Sequence, residues 1–330
     1  MMTKLTEISI IIPIYNTATT LETCIQSILK QDFLDWEAIL VDDGSSDNSY
    51  ECALNQAKTD SRIKVFKQEH QGVSAARNLA LSHAQGKYIC FVDADDTIEP
   101  NYISSLYAYR EYDMVICGYF VDTLNQDHQL IQQKSYIPED IQLKDFQMKE
   151  KLQSLFQNGM IHINCNKLLK TSIIKGGQIV YENYPINEDY IFMTSYLLHA
   201  NSICTISSPL YHWKQVTGQV TGINSLPDNL LSVYNKAHTL TREFFQNDQI
   251  ADRILYYSYY FVVLKYLTNL SKEESNKKLK EFHKNTLVKA SYNAYCPTSL
   301  GEKFIHWLQK KAYFRCYYIL YKALTRRKKQ

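Results

Sequence analysis

ISIIIPIYNT (residues 8–17) and WEAILVDDGSSD (residues 36–47) are the stretches whose reading decides the fold. Ile8–Ile14 is a β-branched run, which suits a strand buried on both faces. Trp36–Val41 is a second strand that ends at Asp42-Asp43-Gly44-Ser45. Between them Thr19 and Glu22 have the spacing of a capping box and open a helix to about Lys30. The alternation continues outward. Asp47–Lys58 is helical, Ile63–Phe66 a strand, Val73–Ala84 a helix, Tyr88–Val92 a strand ending in Asp93, and Met114–Phe120 a further strand. Strands spaced by helices of this length predict an α/β fold with a mostly parallel central sheet and flanking helices. In such sheets a ligand sits outside the carboxyl ends of the strands. Three strand ends carry suitable side chains: Tyr15-Asn16, Asp42-Asp43 and Asp93-Ala94-Asp95-Asp96.

From about Gln126 the pattern changes to longer helices and irregular segments. Phe146–Gln157, Asn187–His199, Ser225–Asp248, Ile250–Leu270 and Lys272–Lys289 read as helices. Asn187–His199 has acids in its first turn, where the helix dipole favours them. The 330 residues suggest about two domains. At 45% hydrophobic and 21% charged the chain can bury a sizeable core and is not disordered. Lys plus Arg (36) nearly balance Asp plus Glu (34), which argues against a dedicated nucleic-acid binder. Eight cysteines, no two closer than 20 residues, leave no C-x-x-C pair for zinc or redox chemistry, and small buried hydrophobes in a reducing cytosol are the expectation. The N-terminus lacks the features of a signal peptide. The longest uncharged apolar-aromatic stretch, Ile254–Leu264, is eleven residues, short of the ~20 a spanning helix needs. The chain therefore reads as cytoplasmic and non-spanning. The 26 tyrosines are unusually many and need a structural reason.

Three carboxylates in four residues at the end of KYICFV repel one another unless a cation or hydrogen-bond donors neutralise them. Hard divalent cations take oxygen ligands, often one or two from protein with phosphates supplying the rest. Asp93-Ala94-Asp95-Asp96 thus suits magnesium or manganese holding a diphosphate, with a solvated acidic turn as the bland alternative. Tyr15 can stack on a planar base, and Asp43 can contact a ligand. Arg77, in GVSAARN (residues 72–78), can pair with phosphate or with the acidic cluster. Glu188-Asp189 either serve the helix dipole or supply a general base. P-loop and dinucleotide fingerprints are absent, as is a G-x-G-x-R loop of the sugar-nucleotide pyrophosphorylase kind.

ISIIIPIYNT, WEAILVDDGSSD, GVSAARN, FVDADD and NEDYIF, in this order and spacing, resemble the family 2 glycosyltransferases over about residues 7–218. The resemblance implies a GT-A fold, a nucleotide-diphospho-sugar transferase architecture. It divides residues 1–220 into a nucleotide-sugar part (about 1–120) and an acceptor part (about 121–220), followed by a helical C-terminal region (221–330). It also implies roles. Tyr15 would stack on the uracil of a UDP-sugar and Asp43 would bind the base, with Pro13 and Asn16 shaping that pocket. Arg77 would brace the diphosphate and the acidic motif. Asp93 would reach the ribose or sugar and share a manganese or magnesium ion with Asp95, and Asp96 would lie near the donor sugar. Asp189 would be the catalytic base of an inverting transfer, with Glu188 beside it. Tyr211-His212-Trp213-Lys214 is similar to the family's Y-x-[YW]-R segment, with Lys214 in place of Arg; lysine still meets a phosphate, as a point charge. Asn164–Lys167 and the 120–185 segment fall on the acceptor side without assigned roles.

Residues 303–330 hold nine Lys or Arg, seven aromatics and no acid. Their spacing reads as a basic amphipathic helix of the kind that lies in an anionic membrane interface. The expectation is peripheral contact with the inner face of the plasma membrane, a polyprenyl-diphosphate-linked glycan as acceptor, and a place in bacterial capsule or other surface-polysaccharide synthesis. The alternatives are a soluble glycosyltransferase acting on a protein or small glycan, and a non-catalytic nucleotide-sugar-binding module.

Overall fold

A computed structural model describes residues 6–217 and 230–255. They fall in two compact units that divide at about residue 221. The first unit runs β1 (Ile8–Ile14), α1 (Leu21–Leu29), β2 (Trp36–Asp43), α2 (Ser49–Thr59), β3 (Ile63–Gln68), α3 (Val73–His83), β4 (Tyr88–Phe91), β5 (Thr97–Ile98), α4 (Tyr102–Tyr107), β6 (Met114–Leu124), β7 (Leu130–Tyr136), β8 (Gln142–Lys144), a 3₁₀ turn (Phe146–Leu152), α5 (Gln153–Gln157), β9 (Lys167–Lys170), α6 (Thr171–Gly176), α7 (Glu188–His199) and β10 (Ser202–Val216). The second unit contains α8 (Leu230–Phe245).

The strands form one mixed sheet in the order β3-β2-β1-β4-β9-β6-β10-β5, with β7 on β6 and β8 on β10. The first four strands are parallel, with Ile8 opposite Trp36 on β2 and Tyr88 on β4. β1 and β2 are central, and Ile8, Ile10, Ile11, Ile12, Ile39, Leu40 and Val41 are fully buried, as a strand covered on both faces requires. Right-handed crossovers put α1 and α2 on one face and α3, returning past β2 and β1, on the other. Residues Leu21, Cys24, Ile25 and Ile28 recur at helical spacing and form the buried stripe of α1.

The chain builds outward from β1 to β3 and then jumps to β4 on the far side of β1. That reversal opens a crevice at the carboxyl ends of β1 and β4. Val92 N donates to Ile11 O, so Tyr15 and Asp93 leave the sheet at the same edge.

Several local expectations are corrected. The Thr19–Glu22 capping box does not form. The N-cap is Thr20, and its hydroxyl donates to Thr17 O. Phe146–Gln157 begins as 3₁₀ and only its last five residues are α-helical. β9 runs antiparallel between β4 and β6 and separates the four parallel strands from the rest of the mixed sheet. The expected helices at Ile250–Leu270 and Lys272–Lys289 lie partly or wholly outside the described residues, as does the basic helix at 303–330.

Candidate active site

Arg77 is the centre of the site. It projects from α3, is only 4% exposed, and is shared by three carboxylates. Its Nη1 donates to Asp189 Oδ1 (2.8 Å) and Glu188 Oε1 (3.1 Å), and its Nη2 to Asp93 Oδ1 (3.2 Å). One guanidinium therefore joins the D-x-D turn after β4 to the acidic pair opening α7, residues nearly a hundred positions apart. The two acidic groups also line one cleft with a volume of about 140 Å³, together with Tyr119, Asn164, Tyr211 and Trp213.

α7 starts abruptly. Asn187 takes a left-handed conformation (φ 58°), and its carbonyl accepts the Ile191 amide. Glu188 and Asp189 follow in the first turn, where the dipole favours acids. Asp189 Oδ1 also accepts Asn164 Nδ2 (3.0 Å), and Asn164 bonds the buried Tyr181 hydroxyl. Among the described residues no group donates to Asp189 Oδ2, the oxygen left to take a proton. Burial pushes the Asp189 carboxyl up to about 8. Arg77 opposes this, and Glu188 and Asp93 add to it, because one cation cannot neutralise three acids. Burial also works against the charge of Arg77, but Asp189, Tyr181, Asp93 and Glu188 overcome it and lift its pKa.

Asn164 is held from below. The buried Lys167 ammonium donates to the carbonyls of Met160 and Ile163 and to Asn166 Oδ1. Asn166 in turn donates to Cys117 O on β6. This fixes the loop that brings Asn164 and Cys165 to the cleft. Burial lowers the Lys167 pKa to about 7.

The D-x-D turn is tied to β10. Tyr211 Oη donates to Asp96 Oδ2 (2.6 Å) and accepts the Asp93 amide, and the Lys214 amide donates to Asp96 Oδ1 (2.8 Å). Burial, then Asp95 and Asp93, raise the Asp96 carboxyl well above the usual carboxylate range. Asp96 thus lines the cleft, and both its oxygens hold the turn. Asp95 reaches solvent at the tip of the turn. The surrounding protein first, and Asp93 second, push its carboxyl up to about 6, and Lys214 pulls it down.

These carboxylates fit a divalent cation in one respect. Two exposed acids two residues apart, one raised by the other, form a charge pair that a hard cation would relieve. Among the described residues no three His, Cys, Asp or Glu converge on a metal position. A cation here would therefore take Asp93 and Asp95 and complete its shell with phosphate oxygens and water. Arg77 is buried against the carboxylates of both acidic groups.

At the neighbouring corner, Pro13 sits in β1 opposite Val41. Asn16 (φ 52°) accepts the Ser46 amide on Oδ1 and donates its own amide to Ser45 Oγ, so it shapes the β2 loop. Tyr15 is 47% exposed and stacks on His70. Asp43 is buried and its carboxylate takes Gln68 Nε2 (2.7 Å), Gln71 N (2.8 Å) and Gly72 N (2.8 Å), while His70 Nδ1 lies 2.9 Å from it and bonds the Asp43 carbonyl. Asp43 therefore builds the loop into α3, a function hidden in sequence because two of its donors are backbone amides. Sequence reasoning places Asn164 on the acceptor side without a role and passes over Tyr181 and His70.

Residues 9–177, just over half of the chain, match the family described as Glycosyl transferase family 2. The chain is 33% identical over 219 residues to EpsH of Bacillus subtilis (strain 168), which carries a glycosyltransferase name; the match covers 63% of this chain and 60% of EpsH. It is 27% identical over 298 residues to the cholesterol galactosyltransferase of Borreliella burgdorferi, covering 86% of this chain and 81% of that one. Its fold is that of S. aureus TarS 1–349, solved in complex with UDP-GlcNAc. That match has a TM-score of 0.71 and 19% identity and covers 97% of this chain and 92% of TarS 1–349.

Proposed function

The chain belongs to the family 2 glycosyltransferases, and on that premise we propose that it moves a hexosyl unit from a UDP-sugar to a hydroxyl of a glycan acceptor with inversion. The observation that carries this reading is the Arg77 bridge. It brings Asp189 and the D-x-D turn to one cleft, as a transfer with two opposed electrostatic tasks needs. The acceptor hydroxyl loses its proton to Asp189 Oδ2 as its oxygen bonds the anomeric carbon. Asn164 and Arg77 hold the other oxygen of Asp189 and orient it. The bond from the anomeric carbon to the UDP oxygen breaks with its electron pair, and Lys214 lies close enough to the turn to favour the charge that builds there. A cation on Asp93 and Asp95 would supply a Lewis acid for that diphosphate.

The UDP-sugar donor is supported by the fold shared with TarS, whose structure holds UDP-GlcNAc. A lipid-linked acceptor, polyprenyl-diphosphate-borne, at the cytoplasmic face of the membrane in surface-polysaccharide synthesis is supported by the basic, aromatic composition of residues 303–330. No helix among the described residues is long and apolar enough to cross a membrane. Both acidic groups are retained, which favours an enzyme over a nucleotide-sugar-binding module. Radiolabelled nucleotide sugars incubated with the protein and membranes, with and without manganese, test the proposal. Manganese-stimulated transfer of label from a UDP-sugar into a lipid-extractable product is the expected result. Label left entirely in every nucleotide sugar would contradict it.

A further inference from the structure

His70 occupies the corner where β1 and β2 end. Its ring stacks on Tyr15 with centroids 4.3 Å apart and planes 23° apart. Its Nδ1 lies 2.9 Å from Asp43 Oδ2 and 3.2 Å from the Asp43 carbonyl. Both partners are acceptors, so Nδ1 carries the proton. A planar ring on Tyr15 with its Nδ1 against the Asp43 carboxylate occupies the place of the two contacts assigned to a uracil.

A base cannot share this place with the histidine. Rings at 4.3 Å are already in contact, so that face of Tyr15 is covered. An ionised carboxylate offers about four lone-pair sites; Gln68, Gln71 and Gly72 take three on Asp43, and His70 Nδ1, 2.9 Å from Oδ2, stands in the way of a donor to the fourth. Two of these donors are backbone amides, fixed by the turn into α3, and Gln68 closes β3. His70 is the donor that is 55% exposed and can rotate out. The backbone holds the histidine close: Gly44 has φ +71°, and a Cβ there would stand 2.8 Å from His70 N, so glycine permits the approach.

We propose that His70 is an internal surrogate for the nucleobase, lying on Tyr15 and against Asp43 when no nucleotide is bound, and that a uridine nucleotide binds by displacing it. The inference rests on the reading of Tyr15 and Asp43 as base contacts. It makes His70 a determinant of donor affinity, because the apparent dissociation constant is raised by the fraction of molecules with the ring in place.

UDP is titrated calorimetrically into the wild-type chain, His70→Ala, His70→Ser and Tyr15→Ala, with each variant's folding checked by its thermal melt. Removing a competitor present in most molecules tightens UDP binding by roughly three- to tenfold in both His70 variants, while Tyr15→Ala weakens it. Unchanged or weaker binding in the His70 variants, with Tyr15→Ala still impaired, overturns the surrogate and leaves the nucleotide site standing. Absence of UDP binding in every chain, or Tyr15→Ala binding like wild type, overturns both.

Discussion

Asp189→Asn is expected to lower the transfer rate by about 10²- to 10⁴-fold, the usual worth of a positioned base, while leaving UDP-sugar binding near the wild-type level. Asparagine keeps an oxygen for Arg77 and Asn164 but cannot accept the acceptor's proton. The same variant carries a stability signature. Burial raises the native Asp189 carboxyl to about 8, with Glu188 and Asp93 adding to it. An unfolded aspartate ionises near 4. Between these values the native state holds a proton that the unfolded state has released, so this group's contribution is full below about pH 4 and lost as pH rises through about 8. The unliganded Asp189→Asn chain, which has no charge to bury, should therefore match wild type near pH 4 and exceed it increasingly toward pH 8 in urea denaturation. Transfer at the wild-type rate would remove Asp189 from the role of base, and parallel stability curves across that range would mean that its native carboxyl is not raised.

Arg77→Met should have the larger structural effect. It leaves the half-buried Glu188 and Asp189 and the more exposed Asp93 without their shared cation, and because solvent still screens these acids the loss should fall below the about 3–5 kcal/mol of a fully buried pair. Transfer should fall by at least about 10²-fold, since the base loses its orientation. Arg77→Lys should recover little, because an ammonium cannot present two arms to three acids. Lowering the pH should recover part of the stability of Arg77→Met, because the orphaned carboxylates become neutral. Urea midpoints at pH 5 and pH 8 measure this, and a loss of stability that is equal at both would mean that the pairing carries no weight.

The parts of the fold legible in sequence share a physical reason. β1 and β2 are covered on both faces, so their composition alone marks them as strands. Their polar ends stand out because apolar runs stop there. The acids of α7 show at its first turn for the same reason. What sequence hides is long-range. β9 (Lys167–Lys170) is four residues, two of them lysines, and becomes a strand only because β4 and β6 flank it. Thr20 replaces Thr19 at the start of α1 because the Thr17 carbonyl lies within reach of its amide and hydroxyl. The joining of Arg77 to Asp189 spans 112 positions, and no local pattern announces it. The tyrosines find their reason in the core. Tyr102, Tyr196 and Tyr211 are fully buried, and their hydroxyls satisfy Cys165 O, Asp113 O and Asp96. They fill volume and pair buried acceptors that a phenylalanine would leave bare.

The claim that the D-x-D turn and the acids of α7 form one electrostatic unit is tested most directly by following the Asp189 carboxyl by ¹³C NMR in the wild-type chain and in Asp93→Asn. Asp93 helps to raise the native Asp189 pKa, so the account predicts that its titration midpoint moves to lower pH when Asp93 is neutralised. A midpoint that stays where it is in wild type would contradict it.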